Sequence, residues 1–135
     1  MVANLAEELY ANSIQLKKYD SRKLLFSKNR LALEKELYQI QSQVNEIIPL
    51  LKDDPNYFVE HIKLATFISN QITECILFLT TKVKAYRKTV SRYVWGFHNL
   101  PRAFLSSNNS MCISPDDALE YYKPYLKLDW KFNSE

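Results

Sequence analysis

Apolar residues recur along this chain at alternating steps of three and four. From Phe58 the series runs through Ile62, Ala65, Ser69, Ile72, Ile76, Leu79, Val83, Tyr86, Val90 and Tyr93 to Phe97, broken only by Ser69. An earlier series begins at Leu5. It continues through Leu9, Asn12, Leu16, Tyr19, Lys23, Phe26, Arg30, Leu33, Leu37, Ile40, Val44 and Ile47 to Leu51, with polar residues at 12, 23 and 30. Heptad spacing held this far predicts two long helices, each with a stripe covered by another helix.

Local signals set the expected ends. Asp20 and Ser21 are good N-cap residues, but the heptad phase is the same on both sides of them, which favours one long or bent first helix over about 3–48. Pro49 removes a backbone donor and disfavours helix at Ile48, so that helix should end or kink there. Asp54-Pro55 reads as a cap followed by proline at the first helical position, starting a second helix over about 55–96. A short link makes the two an antiparallel hairpin. The second helix would run for about 60 Å at 1.5 Å per residue, so residues 3–19 are needed to cover its far third.

One partner is not enough for the second helix. Leu64, Ile68, Cys75 and Phe78 form a flanking stripe, and Tyr10, Leu24, Leu31 and Tyr38 do the same on the first. Either the C-terminal segment or a second copy of the chain covers them, and a homodimeric helical bundle is the expectation. Beyond Gly96, Pro101 and the polar run 106–110 break the pattern. Ser114-Pro115-Asp116-Asp117 then starts a short helix over about 115–123, with Pro124 stopping or kinking it and an extended strip or frayed turn after it. The chain reads as one all-α domain over 1–135, with the hairpin at 1–97 and a C-terminal appendage at 98–135.

Composition supports that class. Gly96 is the single glycine in 135 residues. Phosphate-cradling loops, tight hairpins and dinucleotide fingerprints all need more. Cys75 and Cys112 form no CxxC and have no histidine cluster around them, so buried, reduced thiols are expected and no metal site is read. No cofactor motif is evident. The N-terminal stretch lacks a basic leader followed by an apolar block. The most hydrophobic run, 64–79, carries Thr66, Ser69, Asn70, Gln71, Thr73 and Glu74, whereas a membrane span needs about 20 apolar residues. A cytoplasmic, reducing location without a transmembrane segment is the expectation.

Charge changes the picture most. The formal net charge is only +3, yet no acid lies between Glu74 and Asp116, where Lys82, Lys84, Arg87, Lys88, Arg92 and Arg102 stand. Lys17, Lys18, Arg22, Lys23, Lys28 and Arg30 form a second basic run, opposed by Asp20. Folding the hairpin brings the two runs side by side, a zone suited to an anionic partner, with Trp95 among the charges. The seam residues Asn12, Lys23 and Arg30 either fix register or snorkel.

The segment Arg92-Tyr-Val-Trp-Gly-Phe-His98 resembles the Arg-x(4–6)-His motif of HEPN-type ribonucleases. That resemblance implies His98 as general acid or base and Arg92 as phosphate stabiliser. The bland reading of His98 is a helix-end histidine. No Glu-x-x-His spacing and no nucleophile elbow occur. The chain therefore reads as a non-enzymatic interaction protein that binds a macromolecule, a protein partner first, through the basic zone. The alternatives are a small ribonuclease using Arg92 and His98, or a nucleic-acid-binding regulator without catalysis.

Overall fold

The computed structural model describes residues 1–81 and 85–133. They form α1 (Val2–Gln15), α2 (Ser27–Asp53), α3 (Val59–Thr80), α4 (Ala85–Gly96) and α5 (Pro115–Asn133), with no strand among the described residues. The all-α class is as the sequence predicts. Its hairpin is α2 with α3. Gln41 Nε2 donates to the Ser69 carbonyl (3.0 Å) and to Thr73 Oγ1 (2.8 Å), and Ser69 Oγ bonds Asn45 Oδ1 (3.2 Å), a pairing that requires antiparallel helices. Leu33, Leu37, Ile40, Val44, Ile47 and Leu51 are buried on α2, and Leu64, Ala65, Ile68, Ile72 and Ile76 on α3. Each Leu, Ile or Val side chain so buried contributes about 1.5–3 kcal/mol.

Neither long helix is continuous. The first, expected over 3–48, ends at Gln15, tightens into a 3₁₀ turn (Leu16–Lys18), leaves helical geometry at Tyr19, turns again at Lys23–Leu25 and restarts at Ser27. Asp20 Oδ1 accepts the Lys23 N–H (2.9 Å), so the cap signal marks a true break. The matching heptad phase is accidental, because Lys23 and Phe26 are exposed and Leu24 is the buried residue of the turn. The second helix, expected over 55–96, is interrupted after Thr80. Thr80 and Thr81 hydroxyls bond the carbonyls of Leu77 and Phe78 (both 3.0 Å), and Thr81 takes extended geometry.

Its start also differs. Asp54 Oδ1 closes a turn onto the Asn56 N–H (2.9 Å), and α3 begins four residues after Pro55. There the Phe58 N–H donates to His61 Nδ1 (3.0 Å) while the His61 N–H donates to the Phe58 carbonyl (3.0 Å). Pro49 does not end α2, which runs to Asp53. A proline inside a helix costs about 3 kcal/mol, and burial of Ile47 and Leu51 on either side offsets it. In the same way α5 passes through Pro124 to Asn133, beyond the expected 115–123, and the strip after Pro124 is helical. Its start is as expected, with Ser114 Oγ accepting the Asp117 N–H (3.1 Å).

The breaks fold the chain back twice more. α1 does not extend the hairpin. It returns antiparallel along α2, with Asn12 Nδ2 donating to Gln43 Oε1 (3.1 Å), and also packs on the turns at 97–104. α4 returns along α3, where the Phe78 ring meets both Tyr86 (4.6 Å) and Tyr93 (6.4 Å). A helix continuing from Phe78 would place Tyr93 about 22 Å away. α5 lies on α3 and α4 through Tyr122, whose ring approaches Phe67, Tyr93 and Phe97.

These returns bury Leu64, Ile68, Cys75 and Phe78 within the single chain, so this stripe does not call for a second copy. Leu31, Tyr38 and Leu77 stay exposed. By length and composition α3 is apolar enough to cross a bilayer, with 44% of its most apolar window buried. Here its apolar face fills the core, while Thr66, Asn70, Thr73 and Glu74 face outward. Neither cysteine forms a disulfide.

Candidate functional site

The break between α1 and α2 produces a rigid loop. Leu24 is fully buried and anchors it. Arg30 Nη1 donates to the carbonyls of Leu24 (2.8 Å) and Leu25 (2.9 Å), and Asn29 Nδ2 donates to that of Lys23 (2.8 Å). With Asp20 on the Lys23 N–H, three side chains hold the loop backbone from both sides. Arg30, a polar interruption of the seam, is thus a clamp, and Asn12 is the register bond to Gln43.

α4 packs against both turns of this loop, which brings together parts of the two basic runs. Arg30 and Arg87 line one depression of about 340 Å³ with Ser27, Leu31, Glu34, Thr80 and Thr81. The Arg87 Nε is buried without a hydrogen-bond partner. Lys88, Ser91, Arg92 and Trp95 face Tyr19, Asp20 and Ser21 across another, of about 270 Å³. Lys18, Lys23 and Lys28 surround Tyr19, Phe26 and Asn29 in a third. Lys17 Nζ lies 5.3 Å from the centre of the Trp95 ring, which is half-exposed.

Some of these charges are already engaged. Lys18 pairs with Glu36 (3.4 Å), which also accepts the Tyr19 hydroxyl. Burial, and then that bond, hold the Tyr19 hydroxyl well above its usual ionisation range. Arg92 Nη2 donates to the Pro124 carbonyl (2.8 Å), and its guanidinium lies over the Tyr125 ring (5.7 Å), so it ties α4 to α5. Arg102 stands apart from the zone. Its Nε donates to the Met111 carbonyl (2.7 Å) and it lies over Tyr121, bracing the segment that leads into α5. Arg22, Lys23, Lys28 and Lys88 are exposed. Lys82 and Lys84 lie outside the described residues.

His98 and Arg92 have different surroundings. His98 is half-buried in the turn after α4, 6.5 Å from the Tyr10 ring. Burial first, then the Lys17 charge, push its pKa down, against a raising bond to the Trp95 backbone. Arg92 instead faces α5, so the two are not directed at a common reacting atom. His61 is spent on the start of α3, and burial lowers its pKa too. Among the described residues no group of three or more His, Cys, Asp or Glu side chains is gathered to hold a metal ion.

Gly96 has a structural task. Its backbone is ordinary helix (φ −91°), but a Cβ there would come within 2.3 Å of the Tyr125 ring. Sequence reasoning missed the exposed pair Leu25 and Phe26. The signal was present, since three apolar residues in a row, Leu24-Leu25-Phe26, cannot all lie on one helix face. No known protein family, no characterised protein and no solved structure was found to match the chain.

Proposed function

We propose that this chain is a non-enzymatic helical interaction protein that takes an anionic macromolecular surface at the end of the bundle where the 16–28 turn meets α4. The observation that supports this reading is that α4, which carries Arg87, Lys88 and Arg92, packs on the basic 16–28 turn, with Arg30 beside Arg87 in one hollow and Lys17 over the half-exposed Trp95 ring. Like charges side by side repel, so an arrangement of this kind favours a partner that neutralises it. A reducing, aqueous compartment fits two cysteines that form no disulfide, Cys75 in the core and Cys112 in the loop before α5.

Retention on an immobilised polyanion such as heparin tests the reading. The unmodified chain is retained at low salt and released as salt rises, and a Lys23→Glu, Lys28→Glu, Lys88→Glu variant passes through. A chain not retained at low salt refutes it. The ribonuclease alternative predicts RNA cleavage lost in His98→Ala, and the engagement of Arg92 with Pro124 and Tyr125 does not favour it.

A further inference from the structure

We infer that the loop around Leu25 and Phe26 is a membrane-docking tip for anionic lipid bilayers, a proposal that rests on the anionic-surface reading above and names its partner. Three observations carry it. The first is what the tip exposes. Leu25 is 49% and Phe26 63% exposed, although both adjoin Leu24, which is fully buried. Two adjacent large apolar side chains held in water are costly for a chain that buries their neighbour.

The second is that their exposure is enforced. Arg30 bonds the Leu24 and Leu25 carbonyls, Asn29 the Lys23 carbonyl, and Asp20 the Lys23 N–H. A loop fixed at both ends cannot fold its apolar tip back onto the core. It meets a partner already in shape, and so loses little entropy on docking.

The third is the charge around the tip. Arg22, Lys23 and Lys28 are exposed beside it, and Lys23 and Lys28 share the hollow under Phe26 with Lys18, which is paired with Glu36. The loop carries one acid, Asp20, against these three exposed cations. Apolar groups that enter the acyl boundary, ringed by cations at headgroup level, are the chemistry of a peripheral membrane contact. A nucleic acid would use the cations and could stack on Phe26, but it has no use for an exposed aliphatic Leu25. An acidic protein would be contacted through a broader face than one loop tip.

The test is co-sedimentation of the full chain with phosphatidylcholine vesicles, with and without phosphatidylserine, beside retention on heparin. The chain should sediment with the anionic vesicles and not with pure phosphatidylcholine. A Leu25→Ser, Phe26→Ser variant should lose about tenfold in partitioning per side chain while keeping its heparin retention. Arg22→Glu should lose at least about fivefold on vesicles, and more salt should weaken the unmodified chain in the same way. Both positions are exposed, and an unchanged far-ultraviolet spectrum verifies that the variants are folded. Heparin or RNA binding without vesicle binding overturns the lipid proposal and leaves the anionic-surface reading standing. Vesicle binding unaltered by the Leu25→Ser, Phe26→Ser change also overturns it, because the tip would then not enter the bilayer. Binding to neither polyanion nor vesicle overturns both.

Discussion

Two regions of this molecule treat their aromatic side chains in opposite ways. Where α3, α4 and α5 meet, Tyr122 is fully buried with its ring against Phe67, Tyr93, Phe97 and Tyr125. At the 16–28 turn, Phe26 stands exposed among lysines. The residue types are similar, so composition does not separate the regions. What separates them is backbone continuity. Helices α3, α4 and α5 turn Phe67, Tyr93 and Tyr122 toward one another, with Phe97 from the turn after α4, whereas the broken segment at 16–28 points Leu24, Leu25 and Phe26 in different directions and buries only Leu24. The first region is a core that closes on itself. The second is held by hydrogen bonds to its carbonyls and leaves apolar surface free.

The comparison can be broken from either side. Tyr122→Ala removes the ring on which four aromatic neighbours converge and should cost about 3–5 kcal/mol, read as a drop in chemical-denaturation midpoint. A loss below about 1 kcal/mol would mean that the cluster repacks without it. Gly96→Ala should cost about 1–3 kcal/mol, because its Cβ would press on the Tyr125 ring; pairing it with Tyr125→Ala should recover part of that loss. Arg30→Ala should cost about 1–2 kcal/mol. Its distinctive sign is faster proteolytic cutting within 19–26 while the rest of the chain is as resistant as before.

Acidity gives a subtler probe. His61 and His98 both have their pKa lowered, chiefly by burial, so the folded chain binds fewer protons than the unfolded one. The stability they contribute is complete above the unfolded value of about 6.5 and is lost as pH falls through it toward the lowered folded values. Thermal midpoints should therefore fall between about pH 7.5 and about pH 5, with a shallower fall in His98→Gln. The smallest stability effect belongs to the exposed tip. Leu25→Ser with Phe26→Ser should stay within about 0.5 kcal/mol per site of the unmodified chain, which makes it a clean binding probe. Light scattering at micromolar concentration addresses self-association, for which Leu31, Tyr38 and Leu77 are among the exposed apolar residues on α2 and α3.

Much of this was legible in the residues, though not the tip. On the heptad seam, Leu33 to Leu51 of α2 and Ala65, Ile72, Ile76 and Leu79 of α3 are buried as the spacing predicts, while Ile62 and Ser69 are partly buried, and Ser114 caps α5. The cap signal at Asp20 was visible but was outweighed by a heptad phase that happened to continue. Pro49 and Pro124 misled in the other direction, because proline propensity is local and burial of flanking residues overrides it. At Thr80-Thr81, β-branched hydroxyl residues that bond back to the preceding turn were hidden inside a matching stripe. Of the basic residues, Arg30, Arg92 and Arg102 hold backbone carbonyls, a role invisible in sequence because the acceptors lie on other turns and helices.

The sequence by itself determined the helical class, the α2–α3 pairing and the surplus of positive charge, because periodicity and charge are properties of residue order. Only the tertiary structure decided that the chain folds back at Tyr19 and at Thr81. A heptad stripe states that a face must be covered, but the same face is satisfied by a long partner or by a returning short one. Which occurs depends on the summed burial of all five helices, and α4 returning along α3, with α5 beside it, buries the flanking stripe that an extended hairpin would leave in water. That choice also sets Lys88 and Arg92 of α4 across from Tyr19, Asp20 and Ser21 of the turn.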